Sequence, residues 1–184
     1  MPAWQETANS VLKRVGIRQY SPVTRGDHVK ATTLIEEIGK RDFDRLFSFA
    51  FVRNPWDWEL SHYRYILKQH SHADHQVVQE LGNFSEYVRW RCDGRFHTQE
   101  SFLLHQGQQV VDVVGRFENL ESDFRYVCQR IGIPFRLPQL NRTKSDDYRR
   151  HYCEQTKQLI AETFSGDIER FGYSFSPTAD FELR

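Results

Sequence analysis

The sequence predicts an α/β fold in which a mainly parallel sheet is covered by helices, and three observations point there. Leu46 to Val52 (LFSFAFV) is an unbroken run of apolar or small residues, suited to a strand buried on both faces. Asn54 and Pro55 follow at once and open an amphipathic helix. A second apolar run, Val110 to Val114, leads through Gly115 into another amphipathic helix. Strands that alternate with helices form layered α/β domains.

The elements follow in chain order. Residues 5–15 predict a short helix with Val11, Leu12 and Val15 on one side. Residues 31–39 predict a second helix, stopped by Gly39. After the first strand, Trp56, Leu60, Tyr63 and Leu67 recur at helical spacing, which predicts a helix over 55–69. The polar stretch Lys68 to Gln76 predicts a loop, and Phe84 to Trp90 a short helix. Beyond the second strand, Asn119 is placed to cap a helix that buries Leu120, Phe124, Val127, Cys128 and Ile131 and ends at Gly132 and Pro134. After an irregular segment, helices are expected at 146–152 and 154–171, the latter carrying Leu159, Ile160, Phe164, Ile168 and Phe171.

The 184 residues show no repeat, low-complexity tract or linker, so a single domain over 1–184 is expected. Twenty-five basic residues balance 25 acidic ones. That balance argues against nucleic-acid and polybasic membrane binding, which draw their affinity from surplus cations. No apolar run approaches the ~20 residues that span a bilayer. The N-terminus lacks the apolar core of a signal peptide, which favours a cytoplasmic, bacterial-type protein, with a Golgi-lumenal fragment as the other reading. Cys92, Cys128 and Cys153 show no metal or redox spacing and are expected to be reduced and mostly buried.

The chemistry concentrates at Arg53. A buried strand delivers this residue to its carboxyl end, where ligands sit in open α/β sheets. The helix behind it aims unpaired N–H groups and a partial positive charge at the same point, and an Arg fork adds parallel charge-assisted bonds to an anion. Ser61 lies two turns into that helix, where a hydroxyl facing inward can donate to a phosphate oxygen. A plain structural ion pair of Arg53 with Asp57 is the competing reading.

The segment FAFVRNPWDWELSHYRY resembles the 3′-phosphate-binding motif of sulfotransferases, R-x-P followed by Ser, and is most similar to the carbohydrate (type 2) sulfotransferases. Trp56 and Trp58 stand where that family commonly has Tyr and Arg. VVDVVGRFENL resembles its G-R-F-E-N-L block, and the stretch from Leu137 to Phe175 resembles its N-x-(S/T)-K…D-I-E-x-F-G-Y-x-F tail, so the blocks run in family order over roughly 25–175. The resemblance implies a P-loop-NTPase-like sheet and the co-substrate 3′-phosphoadenosine 5′-phosphosulfate, without a metal. The implied reaction is sulfuryl transfer to a hydroxyl of a carbohydrate or glycan acceptor. It implies that Arg53 and Ser61 hold the 3′-phosphate and that Lys144 lies on a loop able to close over the nucleotide. A solvated loop charge is the other reading of Lys144.

The family's opening strand and phosphosulfate loop, I-P-K-T-(A/G)-G-T-S, are not matched. Thr7 and Ser10 resemble the Thr and Ser of that loop, but Glu6 stands in place of Lys and the glycine is absent. A carboxylate there repels a phosphosulfate. The expectation is a sheet without the usual first strand. The alternative function is a catalytically inactive nucleotide-binding or interaction domain. His28 resembles the family's loop histidine and is the candidate base, with helix capping as its structural alternative. His70, His72 and His75 form an H-x-H-x-x-H cluster, read as an exposed loop rather than a metal site. Glu118 is expected to pair within the fold. Trp56 and Tyr63 belong to the helix's apolar stripe, whereas Trp58 lies off it and is the candidate for a ligand-facing ring.

Overall fold

The computed structural model describes residues 29–137 and 147–176. Helix α1 (Ala31–Ile38) buries Ala31 and Ile35 against Phe43 of the short α2 (Lys40–Phe43). Gly39 joins them at a φ of 84°, a conformation that side chains disfavour. Strand β1 (Phe49–Val52) leads through Asn54 into α3 (Pro55–Lys68). The Asn54 side chain accepts the Trp56 backbone N–H at 3.1 Å, and Pro55 occupies the first helical position, as the sequence predicts.

Next come α4 (His75–Leu81) and α5 (Phe84–Cys92), the latter capped by the Asn83 side chain. Helix α6 (Glu100–Leu103) precedes a tight hairpin of β2 (Leu104–His105) and β3 (Gln108–Gln109). Strand β4 (Val113–Arg116), the single-turn 3-10 helix Phe117–Asn119 and α7 (Leu120–Ile131) follow. The last elements are the 3-10 turn Tyr148–His151, α8 (Glu154–Thr163) and α9 (Ser165–Phe171).

The fold is therefore α/β, with a small parallel sheet flanked by helices. β1 pairs with β4 in parallel, Phe49 opposite Val113 and Val52 opposite Arg116. A helical core of Trp56, Leu60, Ile66, Tyr87, Ile160 and Phe164 joins α3, α5 and α8. Full burial of each such side chain is worth about 1.5–3 kcal/mol. A second cluster packs Val52 against Leu103, Phe171 and Tyr173, and so fixes the end of β1 one residue before Arg53.

Several expectations change. β1 begins at Phe49 rather than Leu46 and is not buried on both faces, since Phe49 is 41% exposed and only Val52 is fully buried. Its aromatic rings cover one another and α7 instead, in a chain of contacts from Phe47 through Phe49 and Phe51 to Phe124. The second strand is Val113–Arg116, not Val110–Val114. Its start is set by Asp112, whose carboxylate takes the backbone N–H and hydroxyl of Ser48 at 2.7 and 2.8 Å. The polar loop after α3 runs into α4, which its few apolar residues conceal. The expected helix over 154–171 breaks at Phe164 into α8 and α9, and the one at 146–152 is a 3-10 turn within the described residues. The predicted helix over 5–15 lies outside the described residues.

Candidate functional site

Arg53 stands where β1 ends and α3 begins. Its Nε donates to Asp57 Oδ2 at 2.7 Å, and its guanidinium lies 4.2 Å from the centre of the Phe117 ring. Ring and carboxylate thus hold one face and one edge. No hydrogen bond among the described residues uses the two terminal nitrogens, so that fork is available to an anion. Asp57 and Ser61 are four residues apart on α3 and share a face, which aligns Arg53, Asp57 and half-buried Ser61 along one side of the helix. The Asp57 pairing given as the competing reading is present, and it uses Nε alone, leaving the two terminal nitrogens without a hydrogen bond among the described residues.

The backbone beneath this site is held by side chains from distant elements. Gln99 Oε1 accepts the Arg53 N–H and Gln99 Nε2 donates to the Arg53 carbonyl, both at 2.8 Å. Gln99 is itself fixed by buried Asp167, whose two carboxylate oxygens accept the backbone N–H groups of Gln99 and Glu100 at 2.8 and 2.7 Å. Burial pushes the Asp167 carboxyl above its ordinary range, against the pull of those two bonds. Glu118 takes the Asn54 N–H at 2.6 Å and the Tyr173 hydroxyl at 3.2 Å. The Asn54 amide donates to the Ser174 carbonyl at 2.9 Å. The fold-pairing role expected of Glu118 is therefore present, through Asn54 and Tyr173. Asn119 differs from expectation: its side chain makes no cap, and its carbonyl accepts the Ser122 hydroxyl instead.

Of the residues singled out in the sequence, Arg53 stands at the β1–α3 junction and Ser61 lies two turns into α3 on the Asp57 face. Thr7, Ser10, His28 and Lys144 lie outside the described residues. Trp58 is half-buried; it packs edge-on against Phe164 at 6.0 Å and stacks on His62. His70 Nδ1 and His75 Nε2 lie 3.1 Å apart in a hydrogen bond, and His75 Nδ1 reaches the Ile66 carbonyl at the end of α3. Among the described residues no group of three or more His, Cys, Asp or Glu is arranged to hold a metal ion. All three cysteines are free, but only Cys128 is buried; Cys153 is exposed at the start of α8, where hydrogen bonds from Thr156 lower its pKa. An open groove of about 490 Å³ lies at the opposite end of the strands, among Lys40, Asp44, His105, Gln108 and Asp112. There Lys40 is paired with Asp44, so the groove offers an anion less than Arg53 does.

The opposite face of α3 carries a buried polar group with no signature in the sequence. Glu59 is fully buried; its Oε2 accepts the Tyr87 hydroxyl at 2.8 Å and Arg91 Nε at 3.3 Å, and its Oε1 has no partner among the described residues. Desolvation raises its pKa despite Arg91. His62 Nδ1 lies 2.9 Å from the Tyr87 oxygen, and burial lowers its pKa to about 4. Glu59 sits two residues from both Asp57 and Ser61, so helical geometry sets this anchor against α5 on the side away from the Arg53 face.

Comparison with known proteins covers the same elements. The model of the sulfotransferase family matches residues 15–174. An uncharacterized protein of Archaeoglobus fulgidus is 32% identical over 116 residues, which is 61% of this chain and 91% of that one. No solved structure matches. No helix among the described residues is long and apolar enough to cross a membrane. The family match runs through β1, the Arg53 junction, β4 and the Glu118 turn, and by that match the chain belongs to the sulfotransferase family.

Proposed function

We propose that this protein binds 3′-phosphoadenosine 5′-phosphosulfate and transfers its sulfuryl group to a hydroxyl of a carbohydrate-type acceptor, on a sheet of P-loop-NTPase-like plan. One observation supports this above the rest. Arg53 is held by Asp57 and Phe117 beside the start of α3, and its terminal nitrogens make no hydrogen bond among the described residues. In this reading the Arg53 fork and the Ser61 hydroxyl bind the 3′-phosphate. In the transfer step a bond forms from sulfur to the acceptor oxygen as the bond from sulfur to the 5′-phosphate oxygen breaks. Adenosine 3′,5′-bisphosphate leaves, and the acceptor proton passes to a base, the role assigned to His28. Lys144, Thr7 and Ser10 complete the nucleotide contacts in the same reading. No metal takes part in the reaction as proposed.

Calorimetric titration with adenosine 3′,5′-bisphosphate tests the site. Micromolar binding that disappears in Arg53→Ala is expected; a folded protein that does not bind overturns the assignment. Glu6, in place of the family's lysine, favours a second reading in which the nucleotide binds but no sulfuryl group is transferred. Incubation with the phosphosulfate and a panel of sugar acceptors separates the two, since only the first reading yields a sulfated product.

A further inference from the structure

We infer that Gln99 is a positioning residue for Arg53, and that the preference of this site for a 3′-phosphate depends on it. The inference rests on the donor-site reading above. The ladder between β1 and β4 ends with Val52 opposite Arg116, so β4 leaves Arg53 without a partner. A residue that has just left a ladder is held only by what its own N–H and C=O can find. For Arg53 both find one side chain, the Gln99 carboxamide. A primary amide carries an acceptor and a donor side by side and so reproduces the missing strand partner; no other orientation of the amide satisfies both bonds. Gln99 is pinned in turn by Asp167 on α9 through the adjacent backbone N–H groups. The clamp therefore ties the Arg53 main chain to the α6–α9 contact. Asp57 and Phe117 then orient the side chain from a fixed root.

Loss of a clamp beneath the residue that reads one phosphate should weaken binding of that phosphate, whereas general destabilisation should weaken all ligands alike. The test compares affinities for adenosine 3′,5′-bisphosphate and adenosine 5′-phosphate, at a temperature well below unfolding. Wild type is expected to prefer the bisphosphate at least about tenfold, the scale of one charge-assisted contact. Gln99→Met, which keeps length without the hydrogen bonds, should lose most of that ratio. A full wild-type ratio in this variant overturns the inference and leaves the donor site standing. A wild type without any preference removes the donor-site reading itself. Should Gln99→Met not fold, Gln99→Glu replaces it. Its carboxylate accepts the Arg53 N–H but cannot donate to the carbonyl, so the ratio should be low at neutral pH and recover on acidification, as the protonated acid regains a donor. A ratio that stays at the wild-type level across that pH range also overturns the inference.

Discussion

Glu118 Oε1 accepts the backbone N–H of Asn54 at 2.6 Å, binding the turn after β4 to the first residue beyond Arg53. Asn54 is 7% exposed, but Glu118 itself lies at the surface, so water can reach the freed donor from that side. Glu118→Ala should therefore cost about 0.5–1.5 kcal/mol, the net worth of one hydrogen bond. Urea denaturation measures it. A change below a few tenths would show that the Asn54 amide finds another partner.

Arg53 and Ser61 should contribute unequally. Arg53→Ala removes the charged fork and should abolish binding of adenosine 3′,5′-bisphosphate. Ser61→Ala removes one hydroxyl from the same face and should cost about 1–3 kcal/mol of affinity, as one hydrogen bond to a charged group does. Calorimetry on both variants checks the order; a Ser61→Ala protein that binds like wild type removes Ser61 from the site.

The legibility of this site in the sequence follows the range of its interactions. Arg53, Asn54, Pro55, Asp57 and Ser61 are near neighbours, and a strand followed by Asn-Pro and a helical stripe suffices to place them. Gln99 and Asp167 leave no local trace. Gln99 reaches Arg53 across 46 positions and Asp167 reaches Gln99 across 68, both through side-chain bonds to backbone. Such bonds impose no periodicity on the residues around them. Composition misplaces the start of β1 for a related reason: Leu46, Phe47 and Ser48 read as strand, but the ladder begins only after the Asp112–Ser48 contact sets its register. Glu59 is hidden because a carboxylate on a helix reads as solvent-exposed unless its partners on another helix are known.

Gly115 is required by close packing. A Cβ built on it lies 2.5 Å from Phe51 Cε1 and 3.1 Å from Asp123 Cβ. Gly115→Ala must push the Phe51 ring or separate β4 from α7, which should cost about 1–3 kcal/mol as overpacking does. The thermal midpoint should fall, and nucleotide affinity should fall with it if β1 shifts.

The Glu59–Arg91 pair should behave as a buried ion pair does when one half is lost. Arg91→Met leaves a fully buried carboxylate with only the Tyr87 hydroxyl, and should destabilise by about 3 kcal/mol or more where Glu59 stays charged. Glu59→Leu combined with Arg91→Met should recover most of this loss, because the apolar pair needs no desolvated charge. Denaturation of both single variants and the double variant gives the coupling. Strict additivity would show that the two side chains do not depend on each other.

His62 should make stability depend on pH between about 4 and 6.5. Burial, with Arg91 and His72 nearby, keeps the folded imidazole neutral down to about 4, and Asp74 opposes this weakly. The unfolded chain takes up a proton near 6.5, so within this window it binds more protons than the folded one. Stability must then fall as pH falls from 6.5 toward 4, and His62 contributes no slope above 6.5. Glu59 acts with the opposite sign. Its raised pKa gives stability that is present below 4.5 and lost as pH rises through the folded value. The two are separated by comparing wild type with His62→Asn, whose amide can still donate to the Tyr87 oxygen but does not titrate. The difference in unfolding free energy between the proteins should shift toward the variant as pH is lowered through the window, and should stay constant above it. A difference that stays flat from 6.5 down to 4 would mean that the folded imidazole takes up its proton as freely as the unfolded one, with Tyr87 no barrier to it.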